Sequence, residues 1–158
     1  MIVFKRLDDL SEAEIRRVID INLIGTIIGS QMAIAALERA GGGSIINMSS
    51  ADGISGANSL TAYCASKFAI IALTQALACE VGEDGVRVNA VAPTWVKTEF
   101  TKTMLDDPAT TEKLLALMPL KAYADTKDVA AAVLYLAAPA SKMVTGHTLP
   151  VDGGYLAR

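Results

Sequence analysis

The sequence predicts an α/β protein built on a parallel sheet, and three observations support this. Helix-period and strand-length apolar segments alternate as helix, strand, helix, strand, helices, strand, an order that right-handed crossovers turn into a parallel sheet. Glycine, proline or a capping residue marks most of the changes between them. The 158 residues are 52% hydrophobic and 20% charged, with mean hydropathy +0.38, a composition that fits one packed domain and excludes a disordered chain.

The first helix starts near Ser11, where Ser11-Glu12-Ala13-Glu14 has the capping-box form. Ile15, Val18, Ile19, Leu23, Ile27 and Met32 follow at helical spacing, and Gly41-Gly42-Gly43 supplies the C-cap. Ser44 to Met48 is a short apolar run of strand length, broken by Ser49-Ser50. A polar loop containing Gly53, Ser55, Gly56, Asn58 and Ser59 leads to a helix over Thr61 to Val81. That helix is apolar nearly all round, which predicts burial on more than one face, as between a sheet and a partner subunit. Gly82 and Gly85 flank a turn, and Val86 to Val91 reads as a strand stopped by Pro93. Trp95 to Asp107 reads as irregular. Helices are predicted over Ala109 to Leu117 and, capped by Asp125 or Thr126, over Asp128 to Ala138; His147 to Val151 is the last strand, closed by Asp152-Gly153-Gly154.

Fourteen Lys and Arg against 17 Asp and Glu give a formal charge of −3, which offers no electrostatic footprint for nucleic acid or an anionic membrane. Cys64 and Cys79 form no C-x-x-C pair. Fifteen residues apart on one helix, they stand about 22 Å from each other, beyond disulfide reach; they read as small buried hydrophobes in a cytoplasmic protein. Met1 to Leu10 has no apolar signal-peptide core. In the greasiest window, Ala62 to Val81, the longest uninterrupted apolar run is Phe68 to Leu73, so no membrane-spanning helix is expected. His147 is the only histidine and has no second ligand nearby in the pattern, which argues against metal or Ser-His chemistry.

Tyr63 and Lys67 sit four apart on one helix face. An ammonium beside a phenol favours the phenolate, so the pair is a candidate proton-transfer unit. Tyr123 and Lys127 repeat the spacing but straddle a helix start, which separates their faces and reads as an ordinary surface turn. Tyr63 differs in its company, because Ser50 lies thirteen residues earlier at the end of a strand, where a parallel sheet presents groups to ligands. Taken singly, Ser50 could cap a turn, Asn22 could hydrogen-bond along a helix face and Lys67 could snorkel from a buried helix.

Asn47-Met48-Ser49-Ser50, Tyr63-Cys64-Ala65-Ser66-Lys67 and Arg87-Val88-Asn89-Ala90-Val91-Ala92-Pro93 together resemble the short-chain dehydrogenase/reductase family. Asp20 to Gly25 and the segments Thr145 to Leu149 and Val151 to Gly154 are similar to that family as well, in the same order, so the resemblance covers nearly the whole chain. It implies a Rossmann-like doubly wound parallel sheet. It also implies roles: Tyr63 as acid/base, Ser50 as the hydroxyl on the substrate carbonyl, Lys67 on the nicotinamide ribose, and Asn22 seating a water in the proton relay. Tyr63, Lys67, Pro93, Val96 and Thr98 would contact NAD or NADP. Thr94 departs from the family's usual glycine; a β-branched residue tolerates positive φ badly, so the loop is extended there or the cofactor edge is shaped differently.

No glycine-rich phosphate loop occurs between a strand and a helix in this chain. Gly25 and Gly29 fall within a helix, and Gly41 to Gly43 follows a helix and precedes a strand, a structural placement. Only about three strands are predicted where sheets have about five or six. By resemblance, residues 1–158 correspond to the C-terminal catalytic portion of one such domain, and sheet edges and faces left uncovered would be a folding liability. The implied function is interconversion of a secondary alcohol and a ketone, a polyol or keto sugar ahead of a 3-oxoacyl-carrier-protein substrate, with Glu99 to Lys121 as lid. A non-catalytic piece serving only in assembly is the alternative, and the partners expected are a small carbonyl or alcohol substrate and further copies of the chain, as dimer or tetramer.

Overall fold

The computed structural model describes residues 1–99 and 101–158. Helix α1 (Glu12–Ile19) starts on the capping box: the Glu14 N–H donates to Ser11 Oγ at 3.3 Å and the Ser11 N–H to Glu14 Oε2 at 2.9 Å. A π turn at Asp20–Ile24 continues it into α2 (Gly25–Ala40), which ends on Gly41 at φ 82°. Strand β1 (Gly43–Met48) follows, then α3 (Ala51–Ser55), α4 (Thr61–Glu80) and β2 (Val86–Pro93). Helices α5 (Lys102–Leu105), α6 (Pro108–Ala116) and α7 (Thr126–Ala137) precede β3 (Thr148–Val151). Phe100, within the expected lid, lies outside the described residues.

The three strands are parallel in the order β1-β2-β3, with Gly43 opposite Val86 and Ala90 opposite Thr148. Side chains alternate across a strand, and the contacts show both faces in use. Ile45, Val86 and Val88 pack with Ala78 and Val81 of the α4 end and with Ala33, Ile34 and Leu37 of α2. On the other face Ser44 Oγ donates to the Leu136 carbonyl of α7 at 3.0 Å, and Arg87 donates to Ser141 Oγ at 3.0 Å. Helices therefore cover both faces of an α/β parallel sheet, as predicted. Asn89, fully buried in β2, holds the segment entering β3: its Nδ2 donates to the Val144 carbonyl at 2.8 Å and its Oδ1 accepts from the His147 N–H at 3.0 Å.

Several expectations need correction. The polar loop after Ser50 contains α3, one turn started by the Ser50 side chain, and the irregular segment contains α5. Strand β2 runs through Pro93 instead of stopping before it, because β1 pairs with β2 only as far as Val91 and the Pro93 nitrogen faces the edge that β1 has left open. Cys64 is half-buried and Cys79 exposed, so the cysteines are not core hydrophobes. The apolar residues whose spacing marks the first helix do not all face the sheet: Met32 is 70% exposed. The π turn inserts an extra residue and rotates α2, so the sheet side is Ser30, Ala33, Ile34 and Leu37. Ser30 Oγ reaches Asn47 Oδ1 at 3.4 Å, and Asn47 Nδ2 donates to Thr74 Oγ1 at 3.0 Å, a polar link through α2, β1 and α4.

By length and mean hydropathy alone, the continuous helix Glu12–Ala40 (1.5) and Thr61–Glu80 (1.4) could each cross a membrane. Here α4 lies on β2 and buries Ile70, Ile71, Thr74 and Ala78 on its inner side.

Candidate active site

Parallel strands leave their carboxyl ends facing one edge of the sheet, where ligands of such folds bind. At that edge Ser50, Asp52, Tyr63, Lys67, Thr94 and Trp95 line a cleft of about 470 Å³, together with Val96, Thr98 and Thr101. The volume is that of a small-molecule site.

Each side chain is placed by a local device. Ser50 is the N-cap of α3, its Oγ accepting from the Asp52 N–H at 3.2 Å, so the capping role and the place in the cleft coexist. Gly53 lets α3 press onto α4: a Cβ there would stand 2.9 Å from Lys67 Cβ and 3.0 Å from the Lys67 carbonyl carbon. Ser49 Oγ donates to the Lys67 carbonyl at 2.8 Å, tying the end of β1 to the same turn. Tyr63 and Lys67 share a face of α4, with Nζ 5.8 Å from the ring centroid and donating to the Met48 carbonyl at 2.9 Å.

Asn22 sits inside the π turn and is buried. Its Nδ2 donates to Ser66 Oγ at 3.0 Å, and Ser66 Oγ donates to the Tyr63 carbonyl at 2.7 Å, linking Asn22 to the turn of α4 that carries Tyr63. Asn22 also exchanges hydrogen bonds with Met1, accepting at Oδ1 from the amino group at 2.7 Å and donating to its carbonyl at 2.8 Å. Thr26 Oγ1 donates to the Asn22 carbonyl at 2.6 Å.

The electrostatics correct one expectation. Burial pushes the Tyr63 phenol above its ordinary value, the Ser50 hydroxyl pulls it back, and the Asp52 charge pushes it up further. Lys67 does not offset this, since burial lowers its own value. Both groups are desolvated and the ammonium is committed to Met48, so the neutral phenol is favoured in this arrangement.

The structure thus brings Ser50, Tyr63 and Lys67 together, with Asn22 bonded to the turn behind them. Of the cofactor candidates, Val96 and Thr98 line the cleft, whereas Pro93 is buried in β2 and is not part of the lining. Thr94 has no positive φ; among the described residues only Ser59 and Lys121 do outside glycine. Its hydroxyl is buried without a partner. Tyr123 stands before α7, donating to Thr111 Oγ1 at 3.2 Å, apart from Lys127 as expected. The sequence reading missed Asp52 and Trp95; the signal for Asp52 was its place two residues after Ser50.

A family model described as enoyl-(acyl carrier protein) reductase matches residues 2–156. L-xylulose reductase of Caenorhabditis elegans is 39% identical over 150 residues, which are 94% of this chain and 60% of that protein. A short-chain type dehydrogenase/reductase of Mycobacterium ulcerans superposes with TM-score 0.95 at 28% identity, over 98% of this chain and 56% of that one. This chain belongs to the short-chain dehydrogenase/reductase family. A gluconate 5-dehydrogenase of Burkholderia cenocepacia, solved with NADP and tartrate, also superposes with TM-score 0.96 at 26% identity, over all of this chain and 62% of that one. The chain spans about 60% of the length of such relatives, and the Rossmann-type sheet of the family is present here as three strands.

The family uses NAD or NADP. The donor set here fits the nicotinamide end of such a cofactor: an ammonium and a phenol on one helix face beside the end of β2. The turn from β1 to α3, Ser49-Ser50, has no glycine, so it does not offer the backbone cradle that a pyrophosphate needs.

Proposed function

We propose that this chain carries the proton-transfer and substrate-binding part of an NAD(P)-dependent oxidoreductase that interconverts a secondary alcohol and a ketone of the polyol or keto-sugar class. The observation that supports it most is the convergence of Ser50, Tyr63 and Lys67 in one cleft at the carboxyl edge of the sheet. The cofactor supplies or accepts hydride, chemistry no side chain provides. In reduction, negative charge grows on the carbonyl oxygen; the Tyr63 phenol transfers its proton to that oxygen while the Ser50 hydroxyl donates a hydrogen bond to it. Both act more strongly on the transition state than on the ketone. The raised Tyr63 value keeps that proton in place before reaction. Lys67, held by Met48, presents its remaining N–H groups to the cofactor ribose hydroxyls, with Val96 and Thr98 along the nicotinamide edge. Asn22 orients the turn carrying Tyr63 through Ser66, its amide being otherwise taken up by Met1.

The exposed apolar residues Ile21, Ile24, Ile28 and Met32 on one helix and Phe68 on α4 favour a second copy of the chain as partner. The test is cofactor absorbance with NADH or NADPH and either L-xylulose or a 3-oxoacyl thioester. Turnover of the ketose supports this reading; turnover of the thioester alone favours the carrier-protein reductase reading, and soluble oligomers without cofactor binding favour a purely assembling piece.

A further inference from the structure

Asp52 is a carboxylate in the cleft that the proton-transfer chemistry does not use. It is 8% exposed, yet it lines the cleft beside Ser50 and Tyr63. Its position is fixed from two sides, by its own N–H on Ser50 Oγ at 3.2 Å and by Gly53, packed against the backbone of Lys67. The titratable groups around it are Tyr63, Cys64 and Lys67 of α4, Tyr155 of the C-terminal turn and, across the cleft, the Met1 amino group. No Lys or Arg reaches it within 4.0 Å among the described residues. Burial raises its value above the ordinary one, and the Tyr155 hydroxyl offsets part of that rise.

A buried carboxylate without a cation is costly in a wall. Its charge also opposes ionisation of the neighbouring Tyr63. What it offers a ligand is up to four acceptor positions and no donor. Two adjacent hydroxyls on a carbon chain match that set, each donating a charge-assisted hydrogen bond. A carboxylate on the ligand does the reverse, placing like charges together in a poorly solvated cleft. Among the described residues the cations lining the cleft are Lys67, held on the Met48 carbonyl, and the Met1 amino group, held on Asn22 Oδ1, and neither forms an ion pair with Asp52.

We infer that Asp52 is the specificity-determining residue of this site, accepting hydrogen bonds from a vicinal diol of a neutral polyol or ketose and excluding sugar acids. The inference rests on the polyol reading above and narrows it to uncharged substrates. Relatives include enzymes named for a neutral sugar and for an aldonate, so the distinction is a real one within the family.

Trp95, the single tryptophan, lines the same cleft and reports on binding directly. The experiment titrates Trp95 fluorescence of the full chain with D-glucitol and with D-gluconate, which differ by a terminal hydroxymethyl against a carboxylate. The wild-type protein is expected to bind glucitol at least about tenfold more tightly, one charge-assisted hydrogen bond's worth. Asp52→Asn and Asp52→Ser should each reduce that ratio by about tenfold, chiefly by admitting gluconate. A wild-type protein that binds gluconate as well as glucitol overturns the inference, as does an unchanged ratio in both variants. The same holds if Tyr155→Phe reproduces the change, since Asp52 would then act only by holding the C-terminal turn. In those cases, binding of glucitol leaves the polyol reading standing; binding of neither ligand by the wild-type protein removes both.

Discussion

Gly53→Ala isolates the contact on which the geometry of the site depends. A Cβ at this position falls 2.9 Å from Lys67 Cβ, 3.0 Å from its carbonyl carbon and 3.1 Å from the Phe68 nitrogen. Ordinary contacts begin near 3.4 Å, so α3 must retreat from α4 by about 0.5 Å. Two of the three obstructing atoms are backbone, and α4 is anchored by buried Ile70 and Ile71, so α3 moves, carrying Ser50 and Asp52 with it. Overpacking of this kind costs about 1–3 kcal/mol. A shift of about half an ångström at Ser50 lowers kcat by about tenfold, given that about 1 Å can cost about a hundredfold. Gly29→Ala is the matched control: nothing lies within 4 Å of its Cβ and the residue is helical, so it should gain about 0.5–1 kcal/mol. Urea denaturation of both variants, with the slope compared to wild type, reads the difference. Equal stabilities for the two alanine variants would refute the close approach of α3 to α4.

Other outcomes follow from single contacts. Asn89→Ala removes the bonds to Val144 and His147; Arg87 still reaches the Val144 carbonyl, so the loss is about 2–3 kcal/mol, measurable by the same denaturation. Thr94→Val replaces a buried hydroxyl that has no partner and should raise stability by about 1 kcal/mol, with a lower Tm contradicting the account. Asp52→Asn has a signed pH dependence. Burial raises the folded-state value of Asp52 above 3.8, so its contribution is fully present at low pH and is lost as pH rises through the raised value. Calorimetry should therefore find the variant gaining on wild type between pH 3 and pH 7, and a variant that loses ground to wild type over that range would sink the assignment of a desolvated carboxylate.

Elements whose signals are local could be read from the sequence. The box at Ser11 and Glu14 closes within three residues, so residue types alone mark the start of α1, whereas at α7 Asp125 was one of two capping candidates and the helix starts at Thr126, two residues before the expected Asp128. Ser50, Tyr63 and Lys67 were found because a strand end and a helix spacing fix their relative places. The failures came where tertiary packing decides. The π turn at Asn22 rotates everything after it, so helical spacing through Ile27 and Met32 reveals the helix but not which of its sides meets the sheet. Helix α3 is five residues long, too short for periodicity, and its anchor is the contact of Gly53 with α4. The direction of the Tyr63 shift depends on burial and on Asp52, neither of which spacing reveals.

The measurement closest to the central claim is the rate of NAD(P)H-dependent ketose reduction by Tyr63→Phe, with far-UV circular dichroism to establish that α4 is intact. The variant keeps the ring that packs beside Lys67 and loses only the proton donor. The account predicts a fall of about 10²–10⁴-fold in kcat with little change in cofactor binding. A variant that retains its rate to within a few-fold would contradict Tyr63 as the proton-transfer group.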